Sequence, residues 1–227
     1  MVVSAIELRG VTRVFDGLPA LSQIRVDVPV GQAVWVCGSN GSGKSTLLRV
    51  IATALSPTFG TGSVLGLDLL RDRDQIRARV ELLGHQSRFY GDLTALENLV
   101  FVCRMHGVRT ANALPALERV GLDEVAGVRA AGFSQGMRQR LAIARCLMLD
   151  PQVVLLDEPY AGLDVEARVL VDQLLADASY HGRTVLIASH EPPPEGSVDR
   201  TVTLEAGRLV PPETPAPQPR RAEPVES

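Results

Sequence analysis

Gly38-Ser39-Asn40-Gly41-Ser42-Gly43-Lys44-Ser45 fits the pattern G-x-x-x-x-G-K-[ST] at every fixed position. The apolar run Ala33-Val34-Trp35-Val36-Cys37 before it reads as a buried strand, and Thr46-Leu47-Leu48-Arg49-Val50-Ile51-Ala52 after it reads as a helix. Strand, glycine-rich turn and helix form the context in which this pattern wraps a phosphate. Glycines let backbone N–H groups turn inward, and the helix adds its own free N–H groups and the positive end of its dipole. Lys44 is positioned to reach β- and γ-phosphates and the Ser45 hydroxyl to help hold Mg²⁺. The chain has 23 Lys plus Arg, yet Lys44 is its sole lysine. A phosphate loop explains that retention, because a compact ammonium fits under the loop and a broad guanidinium does not.

Working outward, residues 5–36 carry alternating apolar positions such as Ile24, Val26 and Val28, with turn signals at Asp16-Gly17 and Pro29-Val30-Gly31. They predict a β-rich opening of several short strands. Phe15 precedes the first of these turns, where an aromatic serves equally as a base-stacking surface or as core. Residues 57–70 predict a loop and a short strand, 71–79 a charged surface helix with a solvated face, and 80–86 a further strand. From Thr94 to Leu149 the apolar spacing is helical, with Gly107, Gly121 and Gly127 as helix ends, which predicts an inserted helical lobe. Val153-Val154-Leu155-Leu156-Asp157-Glu158 reads as a parallel strand covered on both faces, with two carboxylates at its end. A helix over 165–178, a strand over 184–188 ending at Ser189-His190, and a β segment over 200–210 complete the pattern.

Ligands in open α/β sheets sit beyond the carboxyl ends of the strands, so Gly38, Asp157 and His190 can converge although far apart in the chain. Asp157 suits a water-mediated hold on Mg²⁺, Glu158 a general base for an attacking water, and His190 a contact that senses a terminal phosphate. Each also has a plain structural reading, a strand-end turn for the carboxylates and a loop residue for the histidine.

Composition agrees with a globular protein of one good-sized domain or two tight lobes: 227 residues, 45% hydrophobic, net charge −3. Neither the charge nor a basic patch suggests nucleic acid. Cys37, Cys103 and Cys146 are odd in number and widely spaced, which predicts reduced thiols rather than a disulfide framework or a metal site. No apolar run approaches the roughly 18 residues of a membrane helix, so the chain reads as soluble and any membrane role as acquired through a partner. The Pro-, Glu- and Ala-rich stretch 211–227 reads as a disordered tail.

From about Ile6 to Val210 the chain resembles the nucleotide-binding subunit of an ABC transporter. Six motifs stand in that family's order: phosphate loop at Gly38–Ser45, Q-loop at Gln86, signature at Phe133-Ser134-Gln135-Gly136-Met137, Walker B at Val153–Glu158, D-loop at Ala161-Gly162-Leu163-Asp164 and switch histidine at His190. The signature departs from Leu-Ser-Gly-Gly-Gln at Phe133, Gln135 and Met137, while Ser134 and Gly136 remain.

The resemblance implies an α/β fold, a P-loop NTPase (RecA-like) core with an antiparallel β subdomain and an inserted α-helical subdomain. The cassette would occupy 1–210, with the helical part at about 88–150. It implies ATP and Mg²⁺, with Phe15, Gly38, Ser39, Asn40, Gly41, Ser42, Gly43, Lys44, Ser45 and Thr46 around the nucleotide. Ser134 and Gly136 would cap the γ-phosphate of a second subunit, Ser45, Gln86 and Asp157 would serve the metal, and Glu158, His190 and Gln86 would serve catalysis. The implied unit is a head-to-tail dimer docked on integral membrane permease subunits, peripheral on the cytoplasmic side of the inner membrane.

Leu83-Gly84-His85-Gln86, Leu93-Thr94-Ala95-Leu96-Glu97-Asn98-Leu99, Phe101 and His106-Gly107 are similar to the ATPase of the Ccm-type haem exporter. That similarity implies export linked to haem delivery for cytochrome c maturation. The alternatives are an exporter of another substrate (drug, lipid or peptide) and a soluble non-transport ABC ATPase.

Overall fold

The structure, a computed structural model, describes residues 3–84, 89–161, 163 and 165–210. His85, Gln86, Gly162, Asp164 and the tail 211–227 therefore lie outside the described residues.

Two sheets carry the fold. The first is antiparallel, in the order β2-β1-β4-β5, built from β1 (Ser4–Phe15), β2 (Leu18–Pro29), β4 (Phe59–Val64) and β5 (Leu67–Asp68). The second has the order β10-β9-β3-β8-β7-β6. In it β9 (Arg200–Glu205), β3 (Ala33–Cys37), β8 (Thr184–Ala188), β7 (Val153–Asp157) and β6 (Val80–Leu83) run parallel, and β10 (Arg208–Val210) returns antiparallel to β9. The opening is thus two 12-residue strands and β3, not several short ones. Register shifts between Leu8 and Val11 and between Val11 and Arg13 break the alternation without ending the strand.

The apolar strands of the parallel sheet are covered on both faces, which is why they read as continuous apolar runs. Val153, Leu155, Leu186, Val34 and Val36 face one core with Ile6, Leu8, Leu47 and Leu48 of the antiparallel sheet and α1 (Lys44–Ile51). Val154, Leu156, Val185 and Ile187 face the other core, with Leu99, Leu117 and Leu141 of α3 (Ala95–His106), α4 (Ala113–Glu118) and α5 (Gln135–Leu149). These three helices lie between β6 and β7 in the chain, and α6 (Val165–Tyr180) between β7 and β8. Arg145 of α5 joins the helices to the sheet through a largely buried pair with Glu81 of β6, its Nε 2.6 Å from Oε1.

The segment 71–79 shortens to α2 (Arg73–Arg77), and its charge is not simply solvated. Arg73 Nη2 and Arg77 Nη2 donate to the Thr53 carbonyl at 2.8 and 3.0 Å, just past the end of α1. Cations at a helix C-terminus satisfy its free carbonyls and oppose its dipole. Gly107 and Gly121 take left-handed φ values after α3 and α4, whereas Gly127 lies in a turn and ends no helix.

The start of α3 has a local cause. Thr94 Oγ1 accepts from Glu97 N at 3.1 Å and Glu97 Oε2 accepts from Thr94 N at 2.8 Å, a reciprocal cap. The Asn98 side chain, 2% exposed, accepts from Tyr90 N and donates to the carbonyls of Tyr90, Leu93 and Thr94. The backbone N–H of Thr94, then its hydroxyl, hold the Glu97 carboxyl below its ordinary range. The cap is therefore complete above the usual carboxylate pKa and is lost as pH falls through the lower folded value. Thr94→Ala is expected to destabilise the fold by about 1 kcal/mol, read as a lower denaturant midpoint with unchanged slope.

Candidate functional site

Strands β3, β8 and β7 are neighbours, and their carboxyl ends deliver the phosphate loop, Ser189-His190 and Asp157-Glu158 to one edge. The loop is shaped by backbone that only glycine tolerates at Gly43. Gly43 has φ 107, and a Cβ there would lie 2.5 Å from the Ala20 carbonyl oxygen. Gly43 also precedes α1 without any side-chain cap, and the first turn of α1 holds no acid. The N–H groups of that turn and the helix dipole thus face the loop, an arrangement that favours anions.

Lys44 is 5% exposed. Its Nζ donates to the carbonyls of Gly38 and Ser39 at 2.8 and 3.3 Å and stands 3.4 Å from Glu158 Oε1. Beside it Ser45 Oγ donates to Asp157 Oδ1 at 2.7 Å, across 112 residues of chain. Glu158 Oε2 lies 3.0 Å from His190 Nδ1, so one carboxylate spans the loop lysine and the histidine. Glu158 takes φ 49, outside the usual range for its type, while its N–H donates to the Ala188 carbonyl at 2.7 Å. Backbone held off its preferred region by a neighbouring strand is a mark of functional sites. A buried ammonium, N–H groups at a helix start, a hydroxyl paired with a carboxylate and a second carboxylate make a set that can hold a polyphosphate, a hard cation and a water. Hydroxyl and carboxylate oxygens are the donor types Mg²⁺ prefers.

A model of the ABC transporter family matches residues 21–161, well over half of the chain. The chain belongs to the ABC transporter family. It is an ATP-binding cassette and an ABC-type ATPase. The lipoprotein-releasing system ATP-binding protein LolD 1 of Caulobacter vibrioides is 36% identical over 91% of this chain and 94% of its own length. The daunorubicin/doxorubicin resistance ATP-binding protein DrrA of Streptomyces peucetius is 33% identical over 91% of this chain, which spans 64% of that protein. Among solved structures, the dimeric post-hydrolysis state of the ATP-binding cassette MJ0796 with ADP and Pi is 27% identical, with a TM-score of 0.81 over 90% of this chain and 96% of that one. The fold is accordingly that of a P-loop NTPase core with mixed α/β sheets and helices.

The other site residues of the cassette are more dispersed. Ser39, Asn40 and Gly41 are exposed along the loop, Ser42 is buried, and Thr46 lies in the first turn of α1. Phe15 is 39% exposed at the end of β1, and the Arg13 guanidinium lies 4.4 Å from its ring centroid. The sequence reading passed over Arg13, although a position two residues away on a strand shares the same face. Ser134 caps α5, its Oγ accepting from Met137 N at 3.2 Å, and it and Gln135 are exposed. Phe133 is 4% exposed and Met137 packs against the helical core. Two of the three departures in the signature are therefore packing residues, and the exposed cap at Ser134 is intact.

Ser134 and Gly136 stand at the start of α5, not at the carboxyl end of β3, β7 or β8. Gln86 is outside the described residues. Sequence reasoning also passed over Trp35 and Ser189, whose signal was only their adjacency to the loop and to His190. Among the described residues no helix is long and apolar enough to cross a membrane.

Proposed function

We propose that the cassette binds ATP with Mg²⁺ at Gly38–Ser45, hydrolyses it as half of a head-to-tail dimer, and powers export of lipophilic or amphipathic cargo through permease subunits. The observation that carries this reading is the single cluster in which Lys44 meets Glu158, Ser45 meets Asp157, and Glu158 meets His190.

In this proposal Lys44 exchanges the carbonyls of Gly38 and Ser39 for β- and γ-phosphate oxygens, joined by the N–H groups of the loop from Ser39 through Thr46. Ser45, Asp157 and Gln86 would hold Mg²⁺, which would supply neutralisation of the charge building on the phosphates. Glu158 accepts the proton of the attacking water, and His190 touches the γ-phosphate. Phe15 stacks on adenine, with Arg13 on the ring beside it.

Ser134 and Gly136 sit at the start of α5, where free N–H groups favour a phosphate presented by a second copy. That is why the working unit is a two-fold dimer. Ser134→Ala is expected to lower ATP-driven dimer formation in a hydrolysis-slowed background by about tenfold, measured by sedimentation, with ATP binding to the monomer unchanged.

In this proposal permease subunits dock in a cleft beside α3 and α5. This cleft of about 440 Å³ opens between the sheet and the helical lobe, lined by Arg49, Leu55, Glu81, Val102, His106 and Arg145. Docking there would make the cassette peripheral on the cytoplasmic side of the inner membrane.

The cargo reading draws on relatives named for drug resistance and lipoprotein release. A second reading, ATP-driven haem delivery for cytochrome c maturation, draws on the run Leu93–Leu99 and its neighbours. Thr94, Glu97 and Asn98 in that run start α3 and tie down its approach, work any cargo would leave unchanged. The test is a cell carrying Glu158→Gln at the native locus. Loss of amphiphile resistance or of lipoprotein transfer, with covalent c-type haem intact, is expected. Loss of covalent c-type haem with b-type haem retained would give the assignment to haem delivery instead.

A further inference from the structure

His190 is exposed, and its ring is flanked by two carboxylates, the largely buried Glu158 and the exposed Glu191. Nδ1 is 3.0 Å from Glu158 and Nε2 is 3.7 Å from Glu191, whose other oxygen lies 3.4 Å from Arg168 Nη1. The Glu191 contacts with His190 and Arg168 are exposed, and exposed pairs hold geometry weakly. The backbone beneath His190 is fixed differently. Ser189 is 2% exposed, and its N–H donates to the Val36 carbonyl at 3.3 Å. Its hydroxyl donates to the Glu191 carbonyl at 2.6 Å, closing a turn that spans His190. The Trp35 indole N–H in turn donates to that hydroxyl at 3.0 Å and to the Ser189 carbonyl at 3.3 Å. Trp35 pairs in register with Ile187 on β8 and sits on β3, three residues ahead of the phosphate loop.

We propose that Trp35 and Ser189 are positioning residues for His190, a part-buried hydrogen-bonded strut that fixes the histidine relative to the phosphate loop. The strut starts on the strand that carries the loop and ends on both sides of the histidine, so the two halves of the site keep one spacing. Buried hydrogen bonds in series reinforce one another and leave costly orphans when one is removed. This proposal rests on the reading in which His190 meets the γ-phosphate.

The test compares wild type with Trp35→Phe, Ser189→Ala, Ser189→Thr and the double variant Trp35→Phe/Ser189→Ala. All are purified and checked for wild-type circular dichroism and melting. Two quantities are read: ATP turnover with kcat and KM separated, and the NMR signal of the His190 imidazole, assigned against His190→Ala. Trp35→Phe and Ser189→Ala are each expected to lower kcat about tenfold with KM for ATP within about twofold. Ser189→Thr keeps the hydroxyl and is expected to stay near wild type. The double variant is expected to be no slower than the slower single one, because both remove one unit. The His190 signal should shift and broaden in both single variants.

Folded Trp35→Phe and Ser189→Ala proteins with wild-type kcat, or with an unmoved His190 signal, would overturn the strut. A rise in KM at constant kcat would do the same. Wild-type protein without ATP turnover would instead sink the reading of His190 at the γ-phosphate, and the imidazole signal would then decide the strut alone.

Discussion

Lys44→Ala protein is expected to retain its fold and to lose ATP binding at concentrations that saturate the wild type. Its turnover should fall by about a hundredfold or more. The reason lies in what the ammonium touches. At 5% exposure it bridges the Gly38 and Ser39 carbonyls and the Glu158 carboxylate, so it shapes the loop and is the site's one lysine charge. Alanine removes that charge and leaves the Glu158 carboxylate with the His190 ring as its remaining side-chain partner in the cluster. Some stability goes too, since two loop carbonyls lose a donor at about 1 kcal/mol each. Lys44→Arg is expected to fail as well, because the planar guanidinium does not fit beneath the loop. Titration with a fluorescent nucleotide and phosphate release, beside a denaturant midpoint, separate lost chemistry from lost folding.

Glu158→Gln should give the opposite pattern: ATP binds, and hydrolysis slows by about a hundred- to ten-thousandfold. Glutamine has nearly the same shape: its carbonyl oxygen can stand where Oε1 faces Lys44 and its amide nitrogen where Oε2 faces His190 Nδ1, so the geometry around φ 49 and the Ala188 hydrogen bond are kept. What it lacks is a lone pair basic enough to take a proton from water. A pre-steady-state measurement with one ATP per site isolates this step. ATP retained for minutes, when wild-type protein holds ADP, is the expected signature. Hydrolysis at the wild-type rate would remove Glu158 from the role of base and leave it as a partner of Lys44.

How much of this was legible in the sequence depends on whether a side chain's job is local. The phosphate loop, β7 and the placement of Asp157 and His190 were legible because an apolar strand followed by a polar end marks both the fold and the site. The reciprocal cap at Thr94 and Glu97 is just as local, yet its residues were first matched to a cargo because a helix start and a functional motif look alike in one dimension. The opening strands are longer than expected because β1 continues through the register shifts between Leu8 and Arg13, which its alternation does not announce. Arg73 and Arg77 look like any solvated arginines until the end of α1 is placed beside them. Phe133 and Met137 look like erosion of the signature until the helical core shows them packing. The tie from Trp35 to Ser189 spans 154 residues and depends on the order of β3 and β8 in the sheet. No pattern along the chain carries that information.

The most direct test of the account is the nucleotide content and mass of Glu158→Gln protein after incubation with Mg²⁺ and ATP, set against wild type treated alike. The account predicts a dimer that carries intact ATP in both sites, while wild type returns ADP and dissociates. A monomer, or a variant that returns ADP as fast as wild type, would contradict it.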